Sequence, residues 1–184
     1  MDKKEILALS LCVIIAFASG YLIRPYVHTM FIPPHIGNRI YISIAEPSGT
    51  RDILITNVIT NIGENETGAR IGQNGTYTHV RWISLGNATA SATLTKLTTE
   101  ATTEGAARKF GTYQNFTYSG DFAYNITATF YFTGAISFNC TGAHWSAESD
   151  SDNNMYACAN FPEMQNMQNN WNMTVTWMFV FDGN

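Results

Sequence analysis

Residues 121–133 alternate without a break. Phe122, Tyr124, Ile126, Ala128, Phe130 and Phe132 share one parity, while Ala123, Asn125, Thr127, Thr129, Tyr131 and Thr133 share the other. Successive side chains of a strand point to opposite faces, so this pattern predicts one face in a core and one in water. The last apolar run repeats it, with Met173, Val175, Trp177, Phe179 and Phe181 set against Thr174 and Thr176. A strand that buries one face belongs to an antiparallel sheet packed on a second layer. Further β-prone runs lie at 39–44, 52–60, 77–85, 90–97, 135–139 and 155–161. Glu46-Pro-Ser-Gly49 has turn composition, and residues 98–107 form a polar connection with room for one helical turn. About nine strands with Gly/Asn turns predict an all-β fold, an antiparallel β-sandwich of Ig-like or jelly-roll-like type, over residues 39–184.

The start of the chain is different. Residues 6–23 carry no charged side chain, after Met-Asp-Lys-Lys-Glu and before Arg24 and Pro25. As a helix this run rises about 27 Å, close to the ~30 Å hydrocarbon core of a bilayer. Residues 1–24 therefore read either as a cleaved signal peptide, with Ala16-Phe17-Ala18 before Ser19, or as an uncut signal-anchor helix. Lys3 and Lys4 favour a cytoplasmic N-terminus, which Arg24 weakens. Either reading places the bulk of the chain outside the cytoplasm. Residues 25–38, with Pro25, Pro33 and Pro34, form a stiff linker.

Export gives meaning to the Asn-x-Ser/Thr triplets at Asn65, Asn74, Asn87, Asn115, Asn125, Asn139 and Asn172. None has proline in the middle, and each is an acceptor for N-linked glycan in that compartment. Charged residues are 13% of the chain, about half the usual share. The polar surface comes instead from Asn, Thr, Ser and Gln. With a net charge of −4 and no Lys or Arg after Lys109, the chain lacks the basic footprint that nucleic-acid binding needs.

Of three cysteines, Cys12 lies in the apolar segment, leaving Cys140 and Cys158. In an oxidising compartment this pair predicts a disulfide closing a loop of roughly 18 residues, for about 3 kcal/mol. Cys140-Thr-Gly-Ala-His144 has the outline of a blue-copper loop. It lies too far from the last strand, however, and lacks a suitably placed axial Met. Glu148, Asp150, Asp152 and Asn154 alternate like the start of a calcium loop, but Met155 and Phe161 occupy the positions that need Gly and Glu. A solvated acidic turn is the better reading, with calcium at Asp150, Asp152 and Asn154 the weaker one. His28, His35, His79 and His144 show no metal spacing, and no nucleophile elbow is present. Met155, Met164, Met167 and Met173 read as packing filler. No cofactor and no catalytic residue are expected.

Trp82-Ile-Ser-Leu-Gly-Asn followed by a Thr/Ala stretch to Glu100, then Glu104-Gly-Ala-Ala-Arg-Lys109, resembles a β-domain of tailed-virus structural proteins. The strand at 122–132, the 134–142 segment, Asn153-Asn-Met-Tyr-Ala-Cys-Ala-Asn-Phe161 and Thr-Val-Thr-Trp177 follow in the same order. Similar domains occur in exported archaeal surface proteins. The resemblance covers roughly residues 75–182 and implies a non-catalytic role in a virion or cell surface. The apolar segment, the cysteine pair and the glycan triplets depart from it.

These features together predict a non-enzymatic extracytoplasmic structural glycoprotein at a cell or virion surface. It would be membrane-anchored through residues 6–23 or secreted. Its partners would be further copies of itself or other surface and membrane proteins. One version is strand exchange, with residues 39–44 completing a neighbour's sheet. The alternative is a single-span accessory subunit of a membrane complex, with Ala16, Ala18, Ser19 and Gly20 allowing close helix contact. A carbohydrate-binding module, with Trp82, Trp145, Trp171 and Trp177 as stacking platforms, is a third class.

Overall fold

The computed structural model describes residues 36–72, 79–118, 120–149 and 154–181. The apolar segment, the linker to residue 35, Asn74, Asp150 and Asp152 lie outside the described residues. Among the described residues eleven strands and one helix follow in order: β1 (Ile36–Glu46), β2 (Gly49–Thr56), β3 (Val58–Ile59), α1 (Asn61–Ile71), β4 (Trp82–Asn87), β5 (Thr99–Glu100), β6 (Lys109–Phe110), β7 (Thr112–Tyr118), β8 (Asp121–Tyr131), β9 (Ile136–His144), β10 (Met155–Met167) and β11 (Asn172–Phe181). One sheet runs β2-β1-β11-β8-β7, and the other runs β3-β10-β9-β4-β5 with β6 also on β4. Every pairing is antiparallel. The fold is the expected all-β, two-sheet architecture.

The alternation is what builds the core. Ile40, Ile42 and Ile44 of β1, Ile126 and Phe130 of β8, and Val175, Trp177 and Phe179 of β11 are all buried on the inner face. They meet Ile83, Leu85, Phe138, Ala143, Ala157 and Ala159 of the second sheet in one cluster. On the outer face of the first sheet the same strands carry a threonine ladder, with Thr127 bonded to Thr176 and Thr129 to Thr174, each at 2.9 Å. Residues 39–44 lie in β1 between β2 and β11, paired on both sides within their own sheet.

The predicted run 52–60 is divided between the two layers. β2 ends at Thr56 in the first sheet, and β3 begins at Val58 in the second. Thr60 then caps α1, its hydroxyl accepting from Gly63 N at 3.0 Å and donating to Met155 O at 2.6 Å. No helix was expected here, because residues 61–71 carry two glycines and little apolar periodicity. Gly63 is required by contact: a Cβ there would sit 2.3 Å from Tyr156 O. Glu66 and Arg70 pair one turn apart at 3.0 Å.

Two further expectations fail. Residues 90–97 form turns rather than a strand, starting with Leu94 N bonded to Ser91 O. Their apolar side chains serve as a cover instead. Leu97 is buried with Cys140, Met155 and Cys158, and Ala88, Ala90 and Leu94 pack against this group. Residues 98–107 hold the short strand β5 and no helix. In β10 the register against β9 slips between Asn160 and Gln165, around Pro162, which donates no ladder bond.

Candidate functional surface

The most enzyme-like geometry lies deep inside. Ser84 on β4 pairs with Gly142 on β9, two residues before His144, so Ser84 and His144 share a face. Ser84 Oγ and His144 Nε2 are 2.7 Å apart, the spacing of a nucleophile and its base. A Cβ on Gly142 would stand 2.6 Å from that nitrogen, so glycine makes room for the pair. Both side chains are fully buried, however, and no substrate reaches them. Burial, reinforced by the nearby Arg108 guanidinium, holds the imidazole well below its ordinary pKa, so it is neutral in the fold. The pair is a hydrogen-bonded core element.

A pH dependence follows. The unfolded imidazole binds a proton near pH 6.5 and the folded one does so only at lower pH. The stability from a neutral His144 is therefore complete above that range and lost as pH falls through it. Urea titrations from pH 7 to pH 5 should show stability falling by up to about 1.4 kcal/mol per pH unit from this residue. His144→Gln, which keeps a hydrogen bond to Ser84, should remove that component.

Beside it, Arg108 and Glu100 form a buried ion pair. Nε donates to Oε1 at 2.9 Å and Nη2 to Oε2 at 2.5 Å, with the side chains 3% and 4% exposed. Nη1 donates to the carbonyls of Ser146 and Glu148, both at 2.8 Å. The guanidinium thereby ties the loop after β9 to the strand that covers β4.

The expected disulfide is not formed. Cys140 and Cys158 are free, buried thiols in the small cluster beneath residues 88–97. Cys158 stands opposite Gly142 and Cys140 opposite Asn160, so the two cysteines are diagonal rather than facing. Diagonal neighbours lie about 7–8 Å apart, beyond the usual Cα span of a disulfide. Burial pushes the Cys140 thiol up to about 12 and raises Cys158 as well, so neither is a ready nucleophile. Iodoacetamide should leave both unmodified in the native protein and label both after denaturation, as read by intact mass.

Asn154 uses its whole carboxamide on the neighbouring loop. Its Oδ1 accepts from Ser146 N, and its Nδ2 donates to Ser146 Oγ and Glu148 O. Among the described residues no three His, Cys, Asp or Glu side chains converge as a metal site, and no helix is long and apolar enough to cross a membrane. The tryptophans turn inward: Trp177 and Trp145 are buried, Trp171 packs on the core, and half-buried Trp82 sits edge-on to Phe110 at 5.1 Å. The exposed aromatics are others, namely Tyr41, Phe110, Tyr113, Phe122 and Tyr131. Surface hollows beside β2 are lined by Arg39, Leu54, Thr56, Asn160 and Pro162, and by Tyr41, Ser43, Asp52 and Thr174; neither holds a histidine or cysteine.

The surface carries the glycan acceptors unevenly. Asn65 on α1, Asn87 at the end of β4 and Asn115 in the middle of β7 are exposed. Asn125 is half-buried on the outer face between Gln114 and Met178, and Asn172 is half-buried at the start of β11. Asn139 is half-buried with its side-chain oxygen accepting from Ala88 N at 3.0 Å, which leaves it the poorest acceptor of the six.

β7 itself is a feature that sequence reasoning missed. Its residues Thr-Tyr-Gln-Asn-Phe-Thr-Tyr are mostly exposed on both faces, so no alternation of polarity marked the strand. Comparison with protein-family profiles, characterised proteins and solved structures returns no match, so what the chain does has to be argued from this surface alone.

Proposed function

We propose that this chain is a non-enzymatic extracytoplasmic structural glycoprotein, held at a cell or virion surface and working through contacts with copies of itself or neighbouring surface proteins. The observation that carries this reading is the distribution of acceptors. Asn65, Asn87 and Asn115 are exposed on a helix, a strand end and an edge strand of one β-sandwich, where glycans would coat much of its surface. The internal polar groups support it too, since Ser84 bonds His144 and Arg108 pairs with Glu100 through side chains that are buried. The tailed-virus and archaeal surface domains that residues 75–182 resemble point in the same direction.

The test is to extract the native protein in mild detergent and measure intact mass and assembly together. Glycan on Asn65, Asn87 or Asn115, with assemblies of this chain alone, is the expected result. A bare polypeptide sinks the reading. Co-purification at fixed stoichiometry with unrelated membrane proteins favours the accessory-subunit alternative.

A further inference from the structure

Among the described residues β7 is the terminal strand of the five-stranded sheet, with β8 as its one hydrogen-bonded neighbour. A strand edge presents a row of backbone N–H and C=O groups that only another extended chain satisfies. Proteins blunt such edges with charge, proline, bulges or short length. The other described edges show these devices. β2 carries Asp52 and also Arg51, which bonds Glu46, Glu163 and Gln165, while β3, β5 and β6 are two residues long. β7 has none of them: it runs seven residues against β8 without a register shift, bears no charge and no proline, and exposes Thr112, Tyr113, Gln114 and Asn115.

We propose that the free edge of β7 is a self-association surface, pairing antiparallel with β7 of a second copy, and that the Asn115 glycan triplet controls it. This rests on the reading of the chain as a glycosylated surface protein. The occupant follows from the strand's own sequence. A two-fold pairing centred on Asn115 sets Thr112 against Tyr118, Tyr113 against Thr117 and Gln114 against Phe116. Each pair joins an aromatic ring to an uncharged polar side chain, and aromatic–threonine neighbours are favourable across strands. Charge singles out the same strand: residues 110–184 carry acids and no Lys or Arg, yet β7 itself is neutral. Two copies would share one continuous ten-stranded sheet, five strands from each.

The same register makes the pairing conditional. It places the two Asn115 side chains directly opposite on one face, with Cβ atoms about 4.5–5.5 Å apart. Two glycans do not fit there. Modified Asn115 keeps the edge closed, and bare Asn115 opens it.

Asn115→Gln and Asn115→Lys both abolish the acceptor at this exposed position and differ only in charge. The full chain carrying each substitution, in density-matched detergent, is compared by sedimentation equilibrium, with matched thermal melts showing that both are folded. The expected result is a dimer for Asn115→Gln and at least tenfold weaker association for Asn115→Lys, where two ammonium groups would oppose each other. Equal self-association in the two variants, or none in either, overturns the proposal. Those outcomes leave the surface-glycoprotein reading standing, because that reading is decided by the glycans and assemblies of the native protein.

Discussion

Replacing Arg108 with methionine should lower the unfolding free energy by about 3–5 kcal/mol, measured by urea denaturation at pH 7. The loss has two parts. Glu100 keeps a carboxylate that is 4% exposed and has lost its counter-charge, and the carbonyls of Ser146 and Glu148 lose their donor. An isolated buried charge is the larger of the two, because returning it to water is what unfolding then gains. Arg108→Lys should recover little, since one ammonium does not reproduce a two-toothed bond to Glu100 and two further bonds to the loop. The pair Arg108→Met with Glu100→Leu should recover much more, because removing both charges removes the penalty. If the single and double variants are equally unstable, the ion pair is not what holds this loop down.

Phe130→Ala should cost a similar 3–5 kcal/mol, whereas Phe122→Ala should change stability by no more than about 0.5 kcal/mol. The two residues lie on one strand with one parity, yet Phe130 is fully buried and Phe122 is 55% exposed. Phe130 stands opposite Met173 in the body of the sandwich. Phe122 stands opposite Phe181 at the sheet's end, with ring centres 5.9 Å apart. Removing the Phe130 ring leaves a cavity that a close-packed interior does not refill, while removing the Phe122 ring mainly returns area already wet. Equal losses at both sites would mean that the sheet's end is covered in solution.

That contrast shows where the sequence is informative. Alternation gave β8 and β11 and their inward residues, because both strands bury one face along most of their length. It overstated Phe122, since parity reports which face a residue is on and not how far the opposite layer extends. It missed β7, an edge strand wet on both faces, and it took residues 90–97 for a strand because Leu94 and Leu97 are apolar, although their role is to cover Cys140 and Cys158. α1 was hidden by Gly63 and Gly68: Gly63 answers to a close approach at Tyr156 and not to helix propensity, whereas a Cβ on Gly68 would meet nothing within 4 Å. The polar interior was the least legible part. Ser84 and His144 are sixty positions apart, and nothing local marks them as partners. The disulfide expectation failed for a related reason: cysteine count and spacing do not tell a diagonal pair from a facing one.

The last described strand has a consequence for how the molecule is made. β11 is the central strand of the first sheet, with β1 on one side and β8 on the other. Until residues 172–181 have been synthesised and delivered, β1 and β8 each carry an open inner edge and Trp177 is missing from the core. The sheet therefore closes last and at once, through contacts between the two ends of the described chain, which is the slow kind of topology. During that interval Asn115 on β7 and Asn125 on β8, the latter half-buried in the finished fold, still belong to an incomplete sheet. Timing, as much as final exposure, then decides which of them are modified.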